Sequence, residues 1–132
     1  TQLAAIAAKS LKEVRYHVRH AGDWLVRFGD GTAESHQKAQ AALDHLMPYT
    51  QEFWSASDFE KSVVSKGIGV DVLSLREPWE AQLQTTLNEA TLQMPKTTGF
   101  ITTGKHQTHS EHLTYLLDEM QSLARRHPEG VW

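Results

Sequence analysis

The alternation of apolar and polar positions predicts a long helix at the start of the chain. Apolar or small residues recur at steps of three and four, as they do along one stripe of an amphipathic helix. These residues are Leu3, Ala7, Leu11, Val14, Val18, Ala21, Trp24, Leu25 and Phe28. The following Gly29-Asp30-Gly31 favours a helix end with positive φ, and Thr32 is the predicted N-cap of a second helix.

The second predicted helix runs to Trp54 and contains one proline. Its apolar positions at helical spacing are Ala39, Leu43, Leu46, Met47, Thr50, Phe53 and Trp54. Pro48 removes a backbone hydrogen bond, which predicts a kink or a restart. Because only about three residues join the first two helices, we expect them to form an antiparallel αα-hairpin.

Two shorter elements follow the hairpin. Ser57-x-x-Glu60 is a capping-box signature and predicts a third helix that ends near Gly67. Asp71 is a predicted cap for a brief helical turn through Leu75. Both elements are marked by their caps rather than by a long apolar stripe.

A fourth helix is predicted to begin at Pro78, which suits the first helical position, and to end at Pro95. Its apolar face consists of Trp79, Leu83, Leu87, Ala90 and Met94. Residues 95–108 then form the longest stretch without a helical pattern. A loop of this length in a compact domain is usually functional or packed as an Ω-loop.

The last helix is predicted to open at a second capping box, Thr108-x-x-Glu111. Its apolar positions are Leu113, Leu116, Leu117, Met120, Leu123 and Ala124. Pro128 stops it. The chain is therefore predicted to be all-α and to form a single helical domain over residues 1–132.

Composition excludes several classes of function. The 132 residues include 13 Lys and Arg against 16 Asp and Glu, a formal charge of −3. This balance gives no electrostatic signature for nucleic acid or for an anionic membrane. The absence of cysteine excludes disulfides, iron–sulfur clusters and thiol nucleophiles, and it fits a cytoplasmic protein.

The hydropathy of the chain predicts neither a membrane span nor a secretory signal. No apolar run approaches the roughly 20 residues that a transmembrane helix needs. The chain begins at Thr1 without an initiator Met and enters a helical pattern almost at once. We therefore expect it to be a fragment of a longer helical subunit, truncated either naturally or by design.

A degenerate metal-binding motif lies at the centre of the first helix. Carboxylate-bridged di-iron proteins use Glu-x-x-His, with both side chains reaching one metal pair. Here the position three before His17 is Val14, which cannot bind iron, and the nearest acid is Glu13. Glu13 and His17 are spaced i, i+4 and could share a metal, but the sequence offers no third ligand. The favoured interpretation is a buried, neutral imidazole.

The segment before the last helix contains two further candidate sites. His109 and His112 are three apart, with His106 just before them, and a zinc or iron site there would need another ligand. The alternative is that Glu111 closes the capping box while the histidines pack or face water. Residues 103–106 precede a helix N-terminus that could hold an anion such as a coenzyme A phosphate, although the spacing is not that of a P-loop.

The four tryptophans are candidate interface anchors. Trp24, Trp54 and Trp79 lie on helical stripes and are predicted to be core residues. Trp132, at the end of the chain, is the one expected at an interface.

Several segments together resemble the C subunits of the ring-1,2-phenylacetyl-CoA epoxidases, the PaaC family of a bacterial multicomponent oxygenase. The matching segments are residues 12–17, 24–32, 79–81, 88–92, 103–113 and 118–121. The most specific is Thr103-Gly104-Lys105-His106-Gln107-Thr108-His109-Ser110-Glu111-His112-Leu113. The resemblance spans nearly the whole chain and covers the C-terminal half of the family's full-length proteins.

The resemblance implies a ferritin-like helical bundle and a structural, non-catalytic role. In that family the catalytic A subunit holds the di-iron centre and epoxidises the aromatic ring of phenylacetyl-CoA. The expected partners are this A subunit and the other subunits of the complex, in phenylacetate degradation. No catalytic residue, cofactor-binding residue or metal ligand is assigned to this chain, in which His17 is retained beside the degenerate Val14.

Three other expectations remain open. The chain could be a divergent metal-dependent ferritin-like oxidase that uses Glu13 and His17 with carboxylates from elsewhere. It could instead bind coenzyme A thioesters through Lys105. Because the loss of the family's N-terminal helices would leave the stripe Leu3–Phe28 partly unpaired, we also expect the isolated chain to dimerise, swap helices or aggregate.

Overall fold

The computed structural model describes residues 1–96 and 98–131, and across these ranges it contains helices but no β-strand. The α-helices are α1 (Gln2–Gly29), α2 (Ala33–Leu46), α3 (Asp58–Ser65), α4 (Arg76–Glu89) and α5 (His112–Arg126). The predicted all-α fold is confirmed, and it is consistent with a ferritin-like helical fold. None of the helices in these ranges is long and apolar enough to cross a membrane.

Polar side chains cap the first three α-helices, and the caps of α2 and α3 are the ones that the sequence predicts. The Thr32 hydroxyl accepts a hydrogen bond from the backbone N–H of Ser35 at 3.2 Å. At α3 the capping box is complete, because Ser57 Oγ accepts from the Glu60 N–H at 3.2 Å and Glu60 accepts from the Ser57 N–H at 2.8 Å. Thr1 caps α1 in the same way through the N–H of Ala4.

The turn between α1 and α2 differs from its prediction. Asp30, the C-cap of α1, has φ −92°, and the glycines with positive φ in the described ranges are Gly67 and Gly99. Gly29 is instead needed for close packing, since a Cβ there would lie 2.2 Å from the carbonyl oxygen of Ala90. The prediction of a left-handed helix end was therefore wrong, and the glycine serves the contact between α1 and the end of α4.

Three 3₁₀ segments lie between the α-helices in the described ranges, and the last of them, Gly104–His106, precedes α5. The restart predicted at Pro48 is confirmed, because the α-helical geometry of α2 gives way to a 3₁₀ helix over Met47–Trp54. The turn predicted after Asp71 is also confirmed as Val72–Leu75, with the Asp71 carboxylate accepting from the Leu73 N–H at 3.1 Å. This second segment leads directly into α4.

The observed bounds of α4 are shifted from the predicted ones. The helix begins at Arg76, two residues before Pro78, and ends at Glu89, well before Pro95. Thr91 adopts φ +57°, and its hydroxyl donates to the Gly29 carbonyl oxygen at 3.2 Å. A left-handed residue cannot continue a right-handed helix, so this contact with α1 ends α4 early.

The buried core lies where the C-terminal parts of α1, α2 and α4 meet. Leu87 and Ala90 are fully buried and Leu92 is nearly so. Half-buried residues from these helices and the following segment pack around them: Leu25, Val26, Ala39, Leu43, Leu83 and Met94. This small core holds one end of the helical hairpin to α4.

Two apolar stripes lie outside this core. The N-terminal half of α1 exposes its stripe, including Leu3, Leu11 and Val14, and α5 exposes Leu116 and Met120. The accessible surface is 10702 Å², about half as much again as a compact monomer of 14.9 kDa exposes. Much of the apolar periodicity therefore marks surface that the described part of the chain leaves uncovered.

The second capping box is absent. Glu111 is itself the N-cap of α5 and makes no side-chain cap hydrogen bond, so the predicted role of Thr108 was wrong. Thr108 belongs to the preceding loop, where its backbone N–H donates to the Thr103 carbonyl at 3.2 Å. Gln107, with a left-handed φ of +68°, ends the short 3₁₀ segment Gly104–His106, and its backbone N–H donates to the Gly104 carbonyl oxygen.

Candidate functional site

The degenerate motif of α1 lies on an exposed surface. His17 is exposed, and its ring meets the neighbouring Tyr16 ring edge-on with 6.2 Å between centroids. The interpretation of His17 as a buried imidazole was therefore wrong for this chain. Because α2 and α4 contact the C-terminal part of α1, they leave the motif uncovered.

The donor atoms around His17 do not fit a di-iron pair. Val14 supplies no oxygen at the i−3 position, where this kind of site needs a carboxylate, and Glu13 is exposed beside it. Among residues 1–96 and 98–131, no three His, Asp or Glu side chains are grouped closely enough to hold a metal ion.

The loop before α5 is fastened to the 3₁₀ helix Met47–Trp54 by one carboxylate. Glu52 accepts hydrogen bonds from the Thr102 hydroxyl and from the backbone N–H of Lys105. Both hydrogen bonds lower the pKa of Glu52 from its usual value of 4.5, and the one from the Thr102 hydroxyl has the larger effect. Glu52 thus holds the loop in place in its ionised form.

A second carboxylate fixes the side chain of Lys105. The Lys105 ammonium lies 2.9 Å from Glu60 Oε1, and both side chains are mostly buried. The same ammonium donates to the Phe53 carbonyl oxygen at 3.3 Å. The Ser57 N–H, and after it Lys105, lower the pKa of Glu60 to about 2. Lys105, the cation that could bind a coenzyme A phosphate, is therefore paired with a carboxylate of its own chain.

The histidines of this region do not converge. His106 Nε2 lies 2.9 Å from Ser55 Oγ, so this imidazole is a further link between the loop and the segment before α3. His109 and His112 are exposed. His109 also lines an open cleft of about 810 Å³, whose apolar wall includes Tyr49 and Phe100.

Two of the predicted core tryptophans pack together, and the third does not. The rings of Trp54 and Trp79 are half-buried and meet edge-on with 5.3 Å between centroids. Trp24 is exposed, so its assignment to the core was wrong. The contact predicted for Trp132 lies outside the described residues.

The exposed Trp24 belongs to an aromatic ladder that the sequence pattern did not reveal. The ladder consists of Tyr16, His20, Trp24 and Phe28, which recur at steps of four along α1. Its successive ring centroids are 5.9, 6.4 and 5.4 Å apart. The four-residue spacing is visible in the sequence, but the longer aliphatic stripe beside it obscures it.

Glu52 and Glu60 were missed for a different reason. Glu60 was recognised only as a capping residue, and Glu52 belongs to no motif. Their shared attachment to Lys105 joins positions about 50 residues apart along the chain. No local pattern reports a contact of that sequence separation.

The structure defines an all-α helical protein in which Val14 and His17, three residues apart, are both exposed on α1. The family model described as "Phenylacetic acid catabolic protein" (PaaA_PaaC) matches residues 1–132. The chain belongs to this family, as its sequence resemblance predicts.

A curated relative is the C subunit of the 1,2-phenylacetyl-CoA epoxidase of Escherichia coli (strain K12). It is 44% identical over 131 residues, which is 99% of this chain. The alignment covers 53% of the relative, so the chain spans about half of its length.

Proposed function

We propose that this chain serves as a structural, non-catalytic part of a multicomponent phenylacetyl-CoA epoxidase in the cytoplasm. In this role it supports a di-iron catalytic subunit during aerobic phenylacetate degradation. Its similarity to the C subunit of such an epoxidase supports membership of the complex. The uncovered apolar stripes of α1 and α5 support a role in protein–protein contact.

The observation that carries the non-catalytic assignment is Val14, three residues before His17. Iron in a carboxylate-bridged site requires an oxygen donor there, and an aliphatic side chain has none. The alternative of a divergent oxidase would need that donor from another residue, and Glu13 lies one step further round the helix. The proposal therefore assigns oxygen chemistry to the partner.

The contacts of Lys105 also favour a structural role over coenzyme A binding. Its ammonium is paired with Glu60, and its backbone N–H donates to Glu52. A phosphate at this position would face two carboxylates and would have to displace at least one of them. Lys105 therefore attaches the loop before α5 to the 3₁₀ helix Met47–Trp54 and to α3.

The proposal includes self-association of the chain when its partner is absent. Each large apolar side chain that becomes buried contributes about 1.5–3 kcal/mol, so the exposed stripes of α1 and α5 favour association in water. Static light scattering over a dilution series should show a dimer or larger species. A stable monomer throughout would contradict this part of the proposal.

The deciding experiment is reconstitution with a purified catalytic A subunit. Epoxidation of phenylacetyl-CoA by the A subunit and its reductase should increase when this chain is added, whereas the chain and reductase alone should be inactive. His17→Ala should support activity as well as the wild type. Stoichiometric iron bound by the chain alone, and lost in His17→Ala, would overturn the structural assignment.

A further inference from the structure

The end of α4 is a Schellman turn with a threonine at the position that usually holds glycine. The Leu92 N–H donates to the Leu87 carbonyl oxygen at 2.9 Å, and the Thr91 N–H donates to that of Asn88 at 3.2 Å. Leu87 and Leu92 are both buried in one core cluster. This pair of hydrogen bonds with its apolar contact is the Schellman motif, and Thr91, with φ +57°, is its left-handed residue.

A left-handed threonine is an unfavourable residue for this turn. Helices that end in this way usually carry glycine at the left-handed position, because glycine has no Cβ to crowd the backbone. A β-branched side chain at positive φ is a genuine outlier. Thr91 is therefore strained, and strain of this kind persists only where the surrounding structure holds the conformation in place.

The residues of the turn would suit a continued helix. Residues 90–94 read Ala-Thr-Leu-Gln-Met, and alanine, leucine, glutamine and methionine are strong helix formers. The apolar spacing of α4 also continues across the turn, through Leu83, Leu87, Ala90 and Met94. Pro95 disfavours helical geometry only from the residue before it. Local sequence thus favours an α4 that is about one turn longer than the observed helix.

Contacts with α1 and α2 hold the turn against this local preference. The Thr91 hydroxyl donates to the carbonyl oxygen of Gly29, the last residue of α1, at 3.2 Å. Gln40 of α2 binds both backbone groups of Gln93, accepting from its N–H at 2.9 Å and donating to its carbonyl oxygen at 3.0 Å. His36 Nδ1 lies 2.7 Å from the same Gly29 oxygen, so this acceptor keeps a donor when the hydroxyl is removed.

Each of the two backbone conformations has its own advantage. In the turn Leu92 is 5% exposed, whereas in a continued helix it would follow Thr85 and Asn88 onto the exposed face of α4. The continued helix would relieve the left-handed Thr91 and extend the α-helical hydrogen bonding. Such disagreement between local preference and tertiary contacts is expected at strained or switching segments.

We propose that residues 90–93 are a two-state element, in which the hydrogen bond from the Thr91 hydroxyl to the Gly29 carbonyl oxygen selects the turn over a continuation of α4. Release of this bond extends α4 to about Gln93 and changes the direction in which the chain leaves the helix. Every contact involved lies within residues 29–94. The inference is therefore independent of the proposed function and of what covers the exposed faces.

The backbone Cα chemical shifts of residues 90–93 distinguish the two states by nuclear magnetic resonance, because helical residues shift downfield from their coil values. All variants carry Gln40→Ala, which frees Gln93 from α2 and leaves the hydroxyl bond as the tie under test. In this background Thr91→Val keeps the β-branched shape without the hydroxyl, and the shifts should become helical. The matched control Thr85→Val removes a hydroxyl that is bonded within α4 and should leave the shifts unchanged.

Two further substitutions separate the hydroxyl from the strain. In the same background Thr91→Ser keeps a hydroxyl at this position, so the shifts of the turn should be retained. Thr91→Gly should also retain them, because glycine adopts the left-handed conformation without strain and disfavours a helix interior. Gln40→Ala alone should keep the turn.

A turn retained in Thr91→Val/Gln40→Ala would overturn the inference. Helical shifts in Gln40→Ala alone, or in its Thr85→Val or Thr91→Ser derivatives, would overturn it as well, because a hydroxyl at position 91 is present in all three. If circular dichroism shows that Thr91→Val/Gln40→Ala is unfolded, Thr91→Val alone provides the test. Its shifts should then lie between the turn and helical sets, and unmoved shifts would refute the two-state element.

Discussion

The ammonium of Lys105 lies 2.9 Å from the carboxylate of Glu60, and the same carboxylate closes the capping box of α3. One side chain therefore fixes both a helix start and the loop before α5. Together with Glu52, which holds Thr102 and the Lys105 backbone, it joins three parts of the chain that share no local sequence pattern.

Replacing Lys105 with Met should loosen this loop. The substitution removes the ion pair with Glu60 and the hydrogen bond to Phe53, at an expected cost of about 1 kcal/mol in the free energy of unfolding. Lys61→Met, which breaks an exposed pair with Asp58, should cost less than about 0.5 kcal/mol. Urea unfolding measures both, and equal effects would contradict the importance of the Lys105 contact.

Acidification should weaken the fold through the same carboxylates. Folding lowers the pKa of Glu60 from 4.5 to about 2, so the unfolded chain binds more protons between these values. The contribution of Glu60 is present above about pH 4.5 and is lost as the pH falls toward 2. Glu52, whose pKa is also lowered, acts in the same direction.

Glu60→Gln should reduce this acid dependence, since glutamine does not titrate. The measurement is the urea midpoint as a function of pH for the variant and the wild type. Glu77→Gln, at an exposed position in the first turn of α4, is the matched control. A wild-type acid profile in Glu60→Gln would show that another group is responsible.

Gly29 and Gly22 should respond oppositely to alanine. A Cβ at Gly29 would lie 2.2 Å from the Ala90 carbonyl oxygen, so Gly29→Ala should destabilise the fold by about 1–3 kcal/mol or more. A Cβ at Gly22 would meet Thr86 at an ordinary 3.6 Å. Gly22→Ala should therefore stabilise by roughly 0.5–1 kcal/mol through helix propensity. Thermal unfolding of both variants checks the signs, and a neutral Gly29→Ala would refute the close contact.

Leu87→Ala should be among the most damaging truncations. Leu87 is fully buried at the junction of three helices, and removing its side chain should cost about 2–5 kcal/mol. Leu116→Ala, on the exposed stripe of α5, should cost less than about 0.5 kcal/mol in the free chain. Comparable losses in chemical denaturation would mean that α5 is packed in solution.

The caps and breaks were predictable because each depends on residues close together in sequence. Thr32, the Ser57–Glu60 box and Asp71 cap helices as predicted, and Pro48 interrupts one. The predictions failed where a distant residue decides the backbone. Thr91 ends α4 through Gly29, and Thr108 is held by Thr103 instead of capping α5.

In the candidate site, too, features set by nearby residues were predictable from the sequence and features set by distant contacts were not. The absence of a carboxylate three residues before His17 can be read from the sequence alone, and the resemblance of six segments along the chain predicted the family separately. Burial was not predictable from spacing. The stripe of α1 is apolar along its length, yet only its C-terminal part reaches the core around Leu87.

The amino-acid order by itself determined the helices, most of their caps and the absence of an oxygen donor three residues before His17, because these features depend on residues close together in the sequence. Only the tertiary structure decided that Lys105 is paired with Glu60, that the backbone of Ala90 packs closely against Gly29, and which helical faces remain exposed. The reason is that burial and ion pairing depend on which distant segments meet.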